Sequence, residues 1–478
     1  MSARTRISCL LLALAGCAAP RRPNVVFLIS DDLSASALAC YGNVDCATPN
    51  IDRLAARGVR FTHAYCQYPV CAPSRAALMS GLYPQAIGVD GNGGARKFAK
   101  NLGERPSLGQ HFIAAGYYTA RVSKIYHMRV PGDITAGVDG PDHVESWTER
   151  FNCQGPEWAT AGEHAMLSNE TLNPVPDKHY NLGFGTAFYS VQAAPGSTRQ
   201  PDAQAADKAI ELMRTHRDEP FFLAVGFVRP HVPMVSPAEY YSPYAPQGLA
   251  LAEAHSGDWD DIPKPGISGY NSKRRGLESA DKQREVLQAY YAAVTFMDAQ
   301  VGRVLDELED LGLADDTIVV FASDHGFHLG EHDFWQKLSL HEESARIPMI
   351  FAGPGIEPGE SAALTEQIDL YPTFASLAGL SVPEHCQGQD LSPLFTGAES
   401  SVRDAAYCRK GGAHLIRTSE FAYIEYPQGE VELYDMLRDP QQFTNLAEVA
   451  SYAETRAALA EALRRKLAEI TAAGVPAR

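Results

Sequence analysis

Four apolar, β-rich runs punctuate the chain, and each leads to a polar cluster. Val25 to Ser30 ends at Asp31-Asp32. Tyr117 to Val122 leads to Lys124 and His127, Phe221 to Val228 leads to His231, and Thr317 to Ala322 ends at Asp324-His325. Near-continuous apolar strands are buried on both faces, as in a parallel sheet covered by helices. In such sheets ligands bind beyond the carboxyl ends of the strands. If the four runs are parallel, their polar residues meet at one edge. The pattern therefore predicts an α/β fold with a large mixed, mostly parallel sheet sandwiched by helices.

Between the runs the spacing turns helical. Val286, Tyr290, Val294, Met297, Val301, Val304 and Leu308 recur at three- and four-residue steps, predicting a helix from about Lys282 to Leu311 with Gly312 as its stop. Residues 130–200 are irregular and rich in Gly, Pro, Asn and aromatics. They are expected to help form the rim of a pocket. From about residue 400 the pattern changes. Ala405 to Arg409, His414 to Thr418, Phe421 to Tyr426 and Glu432 to Tyr434 read as a short meander, closed by a helix from Glu454 to Ile470.

With 478 residues, the chain is too long for one ordinary domain, and at 45% hydrophobic residues it can build a sizeable core. No apolar run after the leader approaches the roughly 20 residues that span a bilayer. A net charge of −17 argues against a nucleic-acid or anionic-membrane binder. The N-terminus reads as a targeting segment: Arg4 and Arg6 precede the apolar run Ile7 to Ala15. Leu14-Ala15-Gly16-Cys17 resembles a bacterial lipobox, with Cys17 as the lipidated residue. The alternative is cleavage near Ala18-Ala19. Both readings export the protein, to a bacterial periplasm or cell surface. Of nine cysteines, Cys9 lies in the leader. Cys40, Cys46, Cys66, Cys153, Cys386 and Cys408 permit disulfides without fixing a pairing, and free buried thiols are the alternative.

The candidate chemistry centres on Tyr68-Pro69-Val70-Cys71-Ala72-Pro73-Ser74-Arg75, which has Cys-x-Pro-x-Arg spacing ahead of a helical run. Proline favours the first helical position, which would put Cys71 just before a helix N-terminus, where an anion is stabilised. Arg75 adds a permanent cation with donors suited to a tetrahedral oxyanion. Asp31, Asp32 and Asp324 would repel one another unless joined by a cation, and their hard oxygens favour Ca²⁺ or Mg²⁺. His231, in Pro230-His231-Val232-Pro233, and His127 are candidate proton handlers, because imidazole titrates near neutrality. The alternative for both is a satisfied structural histidine, and His127 taken alone reads as one.

These motifs resemble the type I sulfatases of the alkaline phosphatase superfamily. The resemblance also includes Asn24 to Asp32, Ala322 to Gly326, Gly330-Glu331-His332, Trp335-Gln336-Lys337 and Glu432 to Asp435. In order and spacing it is most similar to the iduronate-2-sulfatase branch, partly through the pair Asp324-His325. It implies that a formylglycine-generating enzyme oxidises Cys71 to Cα-formylglycine, whose hydrate attacks sulfur and is regenerated as sulfate leaves. It implies one Ca²⁺ per chain held by Asp31, Asp32, modified Cys71, Asp324 and His325. The alternative role for His325 is a hydrogen bond to the nucleophile or a ligand, since nitrogen binds calcium poorly. Arg75 would hold the diol and metal cluster, Lys124 and Lys337 the sulfate oxygens, His127 the sulfate and diol, and His231 would protonate the leaving alcohol. His332, Trp335 and His341 are expected on the rim. The implied organisation is a leader and tether (1–22), a catalytic domain (23–400) and a C-terminal subdomain (401–478). The implied substrate is a sulfated sugar or glycan. The rivals are a phosphoester or phosphonate-ester hydrolase of the same superfamily, and a non-catalytic glycan-binding lipoprotein.

Overall fold

The computed structural model describes residues 22–170, 172, 183–195 and 200–474. The expected leader, with Arg4, Arg6, Cys9 and Cys17, lies outside the described residues.

The four apolar runs are the central strands of one eight-stranded sheet, and they are parallel. They are Thr317–Ser323, Asn24–Asp31, Phe221–Pro230 and Tyr118–Ser123, adjacent in that order. Glu149–Phe151 extends one side, also parallel. On the other side lie Arg346–Ala352, which runs antiparallel, then Val59–Tyr65 and Gly359–Glu366, parallel to each other. Alternation within Asn24–Asp31 explains the continuous apolar pattern. Val25, Phe27 and Ile29 enter one hydrophobic cluster and Val26 and Leu28 enter another. Helices Cys71–Ser80 and Leu370–Leu377 cover the first face; Pro201–His216 and Ala280–Asp310 cover the second. Burying each such side chain contributes about 1.5–3 kcal/mol, which is why these strands tolerate almost no polar residue before their ends.

The long helix spans Ala280–Asp310, starting two residues before the sequence expectation. Gly312, with φ 66°, ends it: its N–H bonds Glu309 O and the Leu313 N–H bonds Leu308 O. The C-terminal meander is present as Ala405–Lys410, Ala413–Thr418, Phe421–Glu425 and Val431–Asp435, all antiparallel, beside the helix Ala453–Gly474. Cys408, Leu415, Ile424 and Tyr434 from this sheet join the same buried cluster as Phe27 and Phe61. No helix among the described residues is long and apolar enough to cross a membrane. The seven described cysteines are free thiols.

The described part of the stretch 130–200 carries more regular structure than its composition suggests. It supplies the edge strand Glu149–Phe151, and Gly162–Met166 and Tyr189–Ala193, which pair with each other; the latter also pairs with Met234–Pro237. Main-chain pairing gives these polar segments their structure, so side-chain periodicity carries little trace of it.

Gly226 sits where strand Phe221–Pro230 passes the end of its neighbour. A Cβ there would lie 2.0 Å from the Lys124 carbonyl oxygen. Neither backbone can move without disturbing a central strand. Gly226→Ala should therefore cost about 3 kcal/mol or more of stability, read by denaturant unfolding.

Candidate active site

The ends of the parallel strands bring the predicted residues together. Asp31 closes the first strand, and Asp32 follows with a positive φ of 65° that turns its carboxylate into the site. The Tyr290 hydroxyl fixes this turn, donating to Asp32 O (2.7 Å) and accepting from the Ser34 N–H (2.9 Å). Ser123, with φ 59°, precedes Lys124, and Gln336 and Leu338, at 64° and 76°, flank Lys337. Left-handed backbone at non-glycine residues costs free energy, and its concentration here fits a functional site.

Cys71 is the first residue of the helix Cys71–Ser80, all ten residues of which are buried. This corrects the expected placement just outside the helix. Pro73 is the third helical residue, which costs nothing because the first four N–H groups have no intrahelical partner. The neighbouring Ala72 N–H is satisfied instead by Asn92 Oδ1 at 3.0 Å.

Four side chains converge on the Cys71 sulfur. Lys337 Nζ lies 3.3 Å away and His325 Nε2 3.4 Å, and His127 and His231 stand beside it and favour its ionised form. Burial opposes ionisation of the thiol, but Lys337 and Lys124, followed by the two histidines, outweigh it and hold its pKa well below the ordinary value. The position is built for an anionic atom.

The carboxylates are paired with cations. Lys124 Nζ bonds Asp31, and Lys337 Nζ bonds Asp32. Arg75 Nε donates to Asp324 Oδ2 (2.9 Å), and its Nη2 lies 3.5 Å from Asp31 Oδ1. Burial and Cys71 push Asp31 up, yet Lys124, His231 and Arg75 together bring it below its ordinary range. Burial pushes Asp324 up to about 7, against the pull of His325 and Arg75. Burial disfavours charge on His325, but Asp324 prevails and pushes it up to about 10. Its Nδ1 faces Gly326 O at 2.9 Å, so Nε2 points at Cys71 and, 3.3 Å away, at Asp32 Oδ1.

Asp31, Asp32, Cys71 and His325 each present one ligand atom, all within 4.8 Å of one another. Asp324 stands beside this group, its oxygens engaged by Arg75 Nε and the Asp32 and His325 N–H groups. The residues fit a cation: Asp31 Oδ1 is buried without a hydrogen-bond partner, and the carboxylates are hard donors. Arg75 and Lys124 are fully buried, whereas the Lys337 side chain is 14% exposed, so Lys337 faces the opening with His127 and His231.

The rim expectation fails for all three of its residues. Trp335 is fully buried against Phe188, with its indole N–H on Ser272. His341 is fully buried on Glu432, 2.9 Å from its Oε2. His332, only 3% exposed, lines a separate pocket with Asp258 and Trp259. A large aromatic ring gains more by burial than by exposure, and the buried Glu432 needs a partner.

Sequence reading also missed the supports of His231. Arg229 donates to the carbonyls of His231 and Pro233, both at 2.7 Å, and pairs with the fully buried Glu157 at 2.6 Å. Asp202 accepts from the Val228 and Arg229 N–H groups. Glu157 lies 72 residues away, in a stretch without readable periodicity. The one available signal was Arg229 itself, a charge ending an apolar run.

The sulfatase family model matches residues 23–380. The model for the N-sulphoglucosamine sulphohydrolase C-terminal region matches residues 330–469. A sulfatase of Formosa agariphila is 32% identical over 451 residues, covering 89% of this chain and 83% of that protein. Iduronate 2-sulfatase of Homo sapiens is 35% identical over 404 residues, covering 76% and 70%. In fold, the chain is similar to the phosphonate monoester hydrolase of Agrobacterium radiobacter (TM-score 0.74, 23% identity, 95% and 96% covered). It is also similar to a 2-O GAG sulfatase (TM-score 0.71, 22% identity, 94% and 93% covered). With its catalytic-edge residues gathered at one sheet end and its sequence matched along most of its length, the chain belongs to the sulfatase family of the alkaline phosphatase-like superfamily.

Proposed function

We propose that the protein hydrolyses a sulfate ester on a sugar of a sulfated glycan, with Cys71 converted to Cα-formylglycine and one Ca²⁺ bound beside it. The observation that carries this reading is the Cys71 position: a buried helix start ringed by Lys337, His325, His127 and His231, beside two carboxylates. Asp31 and Asp32 would hold the cation together with the residue-71 oxygen, with Asp324 alongside, and His325 would hydrogen-bond that oxygen. When bound, the cation would offset carboxylate charge and polarise a sulfate oxygen. Lys337, at the opening, would meet the sulfate, and Lys124, which holds Asp31, would add a second positive charge behind it. Arg75 holds Asp31 and Asp324 from behind and has no exposed surface for substrate. His231, whose Nε2 lies 3.7 Å from Asp32 Oδ2, would donate the proton to the leaving alcohol.

The relatives named for sulfated sugars, iduronate 2-sulfatase and the Bacteroides N-acetylglucosamine-6-O-sulfatase, support a sugar substrate. The iduronate branch favours a 2-O-sulfate. The phosphonate-ester reading has a fold likeness in its support. The protein would be exported, tethered through Cys17, and matured by a separate formylglycine-generating enzyme.

Three outcomes follow. The tryptic peptide containing Cys71, from protein co-expressed with that enzyme, should be about 18 Da lighter than the cysteine form by mass spectrometry, as thiol becomes aldehyde. An alkylatable Cys71 despite an active maturase would sink the mechanism. His231→Ala should lower kcat by about 10²–10⁴ on esters of sugar alcohols, and much less on nitrophenyl esters, whose leaving group needs no proton. Calcium added to chelated protein at about 100 times its Kd should stabilise it by about 2.7 kcal/mol in thermal melts, and Asp31→Asn should abolish the gain.

A further inference from the structure

Cys66 and Cys408 are 342 residues apart in sequence. Cys66 directly follows the strand Val59–Tyr65, and Cys408 lies within Ala405–Lys410 of the C-terminal sheet. The two segments are joined main chain to main chain: the Arg409 N–H donates to Gln67 O at 3.1 Å, one residue beyond each cysteine. Chains joined this way run about 5 Å apart, inside the Cα range of about 4.4–6.8 Å that a disulfide spans. Both thiols are fully buried in one hydrophobic cluster, with Cys66 among the groups that act on the Cys408 thiol. Their other contacts are weak: Cys66 Sγ lies 3.9 Å from Ser344 O, and Cys408 Sγ lies 4.0 Å from Arg409 O. Elsewhere Cys46 Sγ points at Tyr291 O, and Cys386 Sγ faces Gly81.

We propose that Cys66 and Cys408 form a disulfide in the exported protein, tying the C-terminal sheet to the segment that enters the helix of Cys71. Each thiol loses one proton and one electron. The acceptor is a disulfide donor, either an exported dithiol oxidase or oxidised glutathione. Its S–S bond breaks through a mixed disulfide, and its two sulfurs leave as thiols. Burial pushes the Cys408 thiol well up, so the folded pair exchanges slowly and the bond is made as the chain folds. The link also engages the cysteine nearest Cys71, leaving Cys71 as the free thiol of its own tryptic peptide, residues 61–75.

The test is a non-reducing peptide map of the full chain. One sample is secreted into an oxidising compartment. A second is unfolded and refolded in a glutathione redox buffer. Both are alkylated under denaturing conditions before trypsin. The expected product is peptide 61–75 linked to peptide 404–409, about 2 Da lighter than the sum of the two thiol peptides. Reductant should lower the melting temperature of the linked protein, and Cys408→Ala should abolish that shift and leave Cys66 alkylated. Cys66 and Cys408 alkylated in both samples, or Cys66 linked to Cys71, would overturn the proposal. None of these readouts depends on sulfatase activity.

Discussion

Three buried carboxylates at the ends of adjacent parallel strands set the terms for the rest of the structure. Asp31, Asp32 and Asp324 are at most 1% exposed, so water screens them little. Breaking a buried ion pair costs about 3–5 kcal/mol, because the surviving charge has nowhere to go. Arg75, Lys124, Lys337 and His325 are each placed within reach of one of them. The same four groups, with His127 and His231, surround the Cys71 sulfur or its immediate neighbours. Charge balance and catalytic potential are thus one arrangement. The body of the protein carries a net −17, yet the local field at residue 71 favours an anion.

That arrangement needs rigid support, which the sheet provides. The register of Asn24–Asp31 with its two neighbours sets Ser30 against Ser323 and Asp31 against Pro230, so all three strands end at one edge. Gly226 lets Lys124 lie close against the next strand. Tyr290, from the middle of a 31-residue helix, fixes the turn at Asp32. Sites on strand ends and packed helices hold their geometry better than sites on free loops.

Much of this was legible in the sequence because burial on both faces leaves an unmistakable mark. The four apolar runs appear as four adjacent parallel strands, and the residues expected to ligate the metal and handle the sulfate lie at or beside their ends. What escaped has a common cause. Glu157 on Arg229 and Glu432 on His341 are long-range pairs between buried polar groups, and neither hydropathy nor periodicity encodes a partner's position. Trp335 follows a glycine-rich, charged segment that reads as surface, but tertiary packing places its ring in the core. The edge strand Glu149–Phe151 and the pair Gly162–Met166 and Tyr189–Ala193 are held by main-chain pairing, which composition does not record.

Family membership fixes the scaffold and leaves the transferred group to be measured, because one fold can host several reactions. A sulfate ester and a phosphonate monoester each carry one negative charge, so the cationic pocket does not by charge alone separate them. The decisive measurement is kcat/KM of the formylglycine-containing protein on a sulfate ester and a phosphonate monoester sharing one leaving group. The account predicts a clear preference for the sulfate ester. Faster turnover of the phosphonate, or no turnover of either by fully converted protein, would contradict it.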